Sequence, residues 1–150
     1  MNDDKNSLAI SLFSEVLAAD QMIRNRLHRV LPKGMEISHF SVLNHLAWHE
    51  GERSPAQLAE TFNVTRGAMT NTLNRLEWAG YVHIRPDWDD ARRKMVALSP
   101  AGRRARDQAL SAIAPMVSDV IDKLGEGAVR ATVPILRQMR AELSDKVKPD

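Results

Sequence analysis

Apolar residues recur along this chain at steps of three, four and seven, and the pattern switches to strict alternation in one place only. Over residues 7–31, Leu8, Leu12, Val16, Ile23, Leu27 and Val30 follow the helical step. Ser7 stands where an N-cap is expected, and Pro32, Lys33 and Gly34 end the run. Ser38 is placed to cap a second helix whose apolar side is Phe40, Val42, Leu43, Leu46 and Ala47, with Gly51 as its stop. SPAQ (54–57) carries three start signals together: Ser54 as N-cap, Pro55 at the first helical position and Gln57 to close a capping box. Leu58, Ala59 and Phe62 make the inner face of that short helix, and Asn63 tolerates the left-handed turn that follows. Thr65 then caps a helix over 65–79 with Met69, Leu73 and Leu76 pointing inward, and Gly80 ends it.

Alternation appears at YVHIRP (81–86) and MVALSP (95–100), on either side of DWDDARRK (87–94). Val82 and Ile84 on one strand, Val96 and Leu98 on the other, predict a hairpin over 81–98 with a charged tip. Ser99 and Pro100 restart a helix, with Leu110, Ile113, Val117, Val120, Ile121 and Leu124 as its stripe. Gly125, Glu126 and Gly127 interrupt it, and a last helix carries Val129, Val133, Leu136, Met139 and Leu143. Pro115 and Pro134 fall inside these two helices, where kinks are expected. The fold class is therefore mainly α with a small β-hairpin. Helix, tight turn and helix over 54–80 have the arithmetic of a helix-turn-helix, and the hairpin adds a wing. One domain is expected, with 36–99 as the winged part and 7–32 and 100–147 as flanking helices. Those helices carry more apolar surface than the central unit can cover, so a second copy of the chain is the expected partner.

A length of 150 residues suits such a domain, and 43% hydrophobic with 27% charged residues is ordinary for a folded protein. There is no cysteine, which removes disulfides, thiolate catalysis and thiol redox sensing. The start MNDDKNSLAI does not read as a secretory signal, and no apolar run approaches the roughly 20 residues of a membrane helix. A cytoplasmic protein with no membrane contact is expected. The net charge of +2 is uneven: residues 1–60 carry −2, 61–110 carry +4 and 111–150 are neutral. A basic middle is where polyanion binding is sought first, although a segment of that charge is also common on solvated faces.

The helix 65–79, projected at about 100° per residue, turns Gly67, Asn71, Asn74, Arg75 and Trp78 outward, with Thr70 on a flank. Asn pairs with adenine, Arg with guanine, and Thr with base or phosphate. Gly67 and Ala68 let the helix N-terminus come close to phosphate. The alternative is an ordinary solvated face, but such faces usually hold Glu and Lys, and this one has no acid before Glu77. The tip offers Arg92, Arg93 and Lys94 to a narrow minor groove. Asp90 can hold the Arg92 fork or close the turn through backbone bonds. Charge counting alone makes DWDDARRK a self-neutralised turn, and it leaves Trp88 with three readings: packing on the wing's own strands, lying on a DNA backbone, or meeting a partner. Arg103, Arg104 and Arg106 follow at a helix start, where cations are poorly placed for the dipole. Phosphate contact and a solvated face are both open for them. His45 and His49 are four apart, with Glu50 and Glu52 nearby, yet no third ligand is fixed, so no metal is expected. Asp89 and Asp90 have no neighbouring nucleophile. No catalytic residue set, enzyme activity or cofactor is expected.

With these residues in view, 54–104 resembles the winged helix-turn-helix of the MarR family of bacterial transcriptional regulators. The specific matches are LNRLEWAGYV (73–82), D-x-R at 90–92 and LSPAG (98–102). The resemblance implies a homodimer on a pseudo-palindromic operator in double-stranded DNA, usually acting as a repressor. It places Thr65, Arg66, Gly67, Ala68, Thr70, Asn71, Asn74 and Arg75 at the major groove. It places Arg92 in the minor groove with Asp90 in support, and Arg93 and Lys94 beside it. It also implies release by a small anionic aromatic or related effector between the dimer helices and the winged part, for which His28, His45 and Trp48 are the candidates. The chain departs from the family at Asn63, where Gly is usual, at Trp88, where Pro is frequent, and at Ala91, where Arg is frequent. A winged-helix module that binds protein instead of DNA is the alternative function.

Overall fold

The structure is a computed structural model that describes residues 2–49 and 51–144. Its elements are α1 (Asn2–Val30), α2 (Ile37–Trp48), α3 (Pro55–Phe62), α4 (Arg66–Trp78), β1 (Val82–Pro86), β2 (Lys94–Leu98), α5 (Pro100–Leu124) and α6 (Glu126–Leu143). They fall into two compact units, one up to Ile113 and one from Ala114. The mainly helical architecture with one antiparallel hairpin is as the pattern predicts. The expected end of the last flanking segment, 145–147, lies outside the described residues, as does Glu50.

In the first unit a single core joins α2, α3, α4, the hairpin and the start of α5 through Val42, Leu43, Leu46, Leu58, Ala59, Met69, Leu73, Leu76, Val82, Val96 and Ala105. Leu43, Leu58 and Leu73 are sealed from solvent, and each contributes roughly 2 kcal/mol by leaving water. α3 packs on α4, and α4 on β1, so the helix-turn-helix sits against the sheet. The strands pair antiparallel with Val82 opposite Leu98 and Ile84 opposite Val96, which puts the four predicted apolar residues on one face. A third segment joins the sheet edge: Arg53 exchanges both backbone bonds with Val96, at 3.0 and 2.7 Å. Nothing in the alternation pattern announced that bridge, because one residue has no period.

The predicted helix-turn-helix signals act as expected. Ser54 Oγ accepts from the Gln57 N–H at 3.2 Å, and the Ser54 N–H donates back to Gln57 Oε1 at 2.9 Å. Asn63 lies at φ 50°, ψ 50°, the left-handed conformation that Asn adopts at low cost. Thr65 caps α4 by accepting from the Ala68 N–H at 3.1 Å. Ser99 caps α5, accepting from Gly102 N–H at 2.9 Å and donating to the Gly80 carbonyl at 2.6 Å.

Two caps differ from expectation. α1 starts at Asn2, and Ser7 sits inside it with its carbonyl accepting from Ser11 Oγ. Asp3 and Asp4 in the first turn favour the earlier start through the helix dipole. α2 is capped by Glu36, not Ser38: the Glu36 N–H donates to His39 Nδ1 at 3.1 Å, and the helix ends at Trp48, before Gly51.

α1 has no buried residue; Leu8, Ile10 and Leu17 are each about two-thirds exposed or more, at 73%, 66% and 68%. In the second unit, α5 continues as helix through Pro115, and α6 runs unbroken through Pro134. α6 also has no buried residue, and its Val133, Ile135, Leu136 and Leu143 face solvent.

Candidate nucleic-acid interface

The outward side of α4 is open. Thr65, Arg66, Gly67, Ala68, Thr70, Asn71, Asn74 and Arg75 are all exposed, while Met69, Leu73 and Leu76 anchor the opposite side in the core. A Cβ added at Gly67 would meet nothing within 4 Å. No internal contact demands glycine there, and its absence of side chain keeps the helix N-terminus approachable.

A groove borders α4 on each side. The larger, about 800 Å³, is lined by Arg66 and Thr70 of α4, the α3 start from Ser54 to Gln57, and Arg92, Arg93 and Lys94 of the hairpin tip. Four cations face one acid, Glu60. The second, about 600 Å³, is lined by Ala68, Asn71, Thr72, Asn74 and Arg75 with Glu36 and His39 at the start of α2. One groove is basic and the other amide-rich, and the two border the same exposed helix, an arrangement that suits a polyanion.

The tip is built by its own acids. The Asp87 N–H donates to the Arg93 carbonyl, and the Arg93 N–H to the Asp90 carbonyl, both at 2.9 Å. Asp90 Oδ1 accepts from the Arg92 N–H at 3.0 Å and from Arg92 Nε at 3.3 Å, so this aspartate both closes the turn and orients the guanidinium. Arg92 nonetheless keeps its side chain 93% exposed. An ion pair that open contributes little to stability, so the arginine is free to exchange partners.

Arg75 is less free than its helix position implied. Its guanidinium lies 3.4 Å from Glu36, across the start of α2. Arg106 is also engaged: it donates to Asn44 at 3.1 Å and pairs with Asp107 at 3.0 Å, with 16% of its side chain exposed. That removes it from the candidate phosphate ligands, whereas Arg103 and Arg104 stay exposed.

The three candidate effector residues differ in exposure. His28 and Trp48 are exposed, Trp48 at 75%, and His45 is half-buried against His49 and Phe62, at ring separations of 4.5 and 5.6 Å. A cavity of about 270 Å³ lies elsewhere in the first unit. Lys33, Met35, His39, Arg75, Tyr81 and Gln108 are among its walls. Sequence reasoning missed it because three stretches distant in sequence, 32–39, 75–81 and 105–108, supply its lining. Among the described residues, no group of three or more His, Asp or Glu is placed to hold a metal ion.

Burial lowers the pKa of His45 below its ordinary value, and His49 and Arg53 add to this; the ring's buried Nε2 has no hydrogen-bond partner. Burial also lowers that of His39, against an opposing pull from the Glu36 carboxylate, with Arg75 reinforcing the fall.

A helix-turn-helix whose second helix stands open beside a basic hairpin tip defines a winged helix-turn-helix protein. Residues 33–93 match the MarR family. The uncharacterized HTH-type transcriptional regulator YdgG of Bacillus subtilis is 27% identical over 145 residues, 95% of each chain. Sco3205 of Streptomyces coelicolor, a MarR family transcriptional regulator solved in complex with DNA, superposes with a TM-score of 0.81 at 21% identity, covering 90% of both chains. PcaV, a transcriptional regulator of the same organism solved with its natural ligand, gives 0.75 at 18% identity over 87% of this chain and 91% of its own. The chain thus has the winged helix-turn-helix fold of these structures, and over residues 33–93 it is similar to the MarR family.

Proposed function

We propose that this protein is a sequence-specific regulator that binds double-stranded DNA in the cytoplasm as a homodimer, on a pseudo-palindromic operator, and represses transcription. The observation that carries the reading is the groove that unites Arg66 of α4 with Arg92, Arg93 and Lys94 of the wing beside the exposed Asn71 and Asn74. Amide and guanidinium groups on α4 read base edges in the major groove, and the wing cations meet the narrower groove and its phosphates. The DNA-bound state of Sco3205 supports this use of the shared fold.

The exposed apolar faces of α1 and α6 support the dimer, since a second copy removes them from water. Two recognition helices then meet half-sites about 34–36 Å apart. The cavity walled by Lys33, His39 and Arg75 suits a small anionic aromatic effector. Such a ligand competes with Glu36 for Arg75, and so couples directly to α4. PcaV's complex with its natural ligand supports effector control on this fold.

Selection of duplexes from a random pool by the purified protein tests the reading. The expected outcome is a selected palindrome-like site, an affinity that falls steeply with salt, and a loss of roughly ten-fold or more for Arg92→Ala with a smaller salt slope. Benzoate-class carboxylates added to the same complex are expected to weaken it, and Lys33→Ala to blunt that response. Binding without sequence preference and with unchanged affinity in Arg92→Ala would remove the wing and favour a protein-binding module.

A further inference from the structure

All three tryptophans of the chain are exposed, and among the described residues only Trp88 has a cation over its ring. It stands at the wing tip with 83% of its surface open. The Arg85 guanidinium lies over its ring, 5.1 Å from the centroid. That guanidinium is itself fixed: its Nε is 2.9 Å from Glu52 Oε2 and donates to Glu52 Oε1 at 3.1 Å, and a terminal nitrogen donates to the Pro86 carbonyl at 2.8 Å. Arg85 and Glu52 are each about one-third exposed, at 34% and 30%. Glu52 is held by its neighbour, because Arg53 is bonded through its backbone to Val96 of β2. The order of support runs from the sheet edge through Glu52 and Arg85 to the indole. One ring face rests on Arg85, and the rest is presented outward on an ordered base.

Two of the tip's three carboxylates are occupied within the turn: Asp87 Oδ1 accepts from the Asp89 N–H at 3.1 Å, and Asp90 holds Arg92. The ring is an exposed flat apolar surface in the same turn that carries Arg92 and Arg93, with Lys94 at its end. Walls of a DNA minor groove have the complementary make-up, with apolar deoxyribose rings between phosphates. We propose that Trp88 is a DNA-contacting residue of the wing, which packs on deoxyribose along the groove that Arg92 enters, and that Glu52 and Arg85 are its positioning residues. This rests on the DNA reading of the protein. The contact adds apolar burial without a phosphate bond, so it strengthens binding without adding to its salt dependence.

The test uses full-length protein and the duplex selected from a random pool by the wild type. Trp88→Ala is expected to weaken binding about ten-fold with the salt slope unchanged, while Trp88→Phe retains most of the affinity. Exposed as it is, the residue can be replaced without loss of fold, which circular dichroism checks. In protein carrying Trp48→Phe and Trp78→Phe, emission from the remaining tryptophan is expected to shift to the blue when the duplex binds. Glu52→Gln is expected to reduce that shift. Equal affinity of Trp88→Ala and wild type, with emission indifferent to the duplex, overturns the proposal while Arg92→Ala still reports the wing. Selection of no duplex at all overturns the DNA reading first, and the proposal with it.

Discussion

At the scale of single residues, the two histidines on α2 tie the start of the winged unit to pH. His39 accepts the Glu36 N–H through Nδ1, which it can do only while that nitrogen is unprotonated. His45 keeps a buried nitrogen with no partner, so a proton there meets no acceptor. Both have folded-state pKa values below the ordinary one near 6.5. In the window below about 6.5 the unfolded chain binds more protons than the folded one, and stability falls with pH. The melting temperature is expected to hold steady from pH 8 to 7 and to drop toward pH 5. A double variant, His39→Gln with His45→Phe, keeps the capping acceptor, removes the titration and flattens that acid limb. An acid limb as steep as the wild type's in this variant would sink the assignment. Asp90 was readable from its spacing to Arg92, and the structure adds that it does both things an aspartate can do in a turn. Glu36 and His39 were not readable as a cap, since the expected Ser38 is the better capping residue on propensity alone. The reciprocal bonds between Glu36 and His39 hold the start of α2 in place of the Ser38 cap.

Among the elements, the junction of hairpin and α5 shows why LSPAG has its form. Leu98 closes the strand, Ser99 caps α5 and bonds back to Gly80, and Gly102 lies against the chain at Tyr81. A Cβ at Gly102 would stand 2.0 Å from the Tyr81 carbonyl oxygen and 2.9 Å from Leu98 Cδ1. Gly102→Ala is expected to lower stability by about 3 kcal/mol, because the contact is backbone and cannot swing away. Chemical denaturation measures this, and a loss below about 1 kcal/mol would show that α5 can shift freely. Gly67→Ala on α4 is the counterpart. Open space and helix propensity predict a gain of roughly 0.5–1 kcal/mol in stability, together with weaker DNA binding if the helix start approaches phosphate. The motif letters located both glycines; only the three-dimensional neighbours show that they serve different ends.

For the molecule as a whole, unsatisfied apolar surface is the informative feature. Leu8, Ile10 and Leu17 on α1, and Ile135 and Leu143 on α6, are exposed apolar side chains that the proposed dimer would remove from water. Light scattering coupled to size exclusion is expected to give a dimer. Leu17→Asp combined with Ile135→Asp is expected to shift it toward monomer and to cut DNA affinity about a hundred-fold or more, since paired half-sites then bind independently. A wild-type monomer that binds its selected duplex tightly overturns the dimer.

The helix-turn-helix, the hairpin register and the α5 cap were determined by the sequence itself, through Ser54, Asn63, Thr65, the alternation of Val82, Ile84, Val96 and Leu98, and Ser99. These are local effects: each depends on residues within a few positions and on the choice between two backbone periods. Tertiary structure alone decided the rest. It brought Arg66 beside Arg92 and Arg93, tied Arg75 to Glu36 and withdrew Arg106 into a bond with Asn44. It also seated Trp88 on Arg85 and Glu52, residues 33 positions apart that a backbone bridge at Arg53 draws together. Contacts between distant segments leave no period in the chain, because they are selected by how whole elements pack and not by the spacing of their residues.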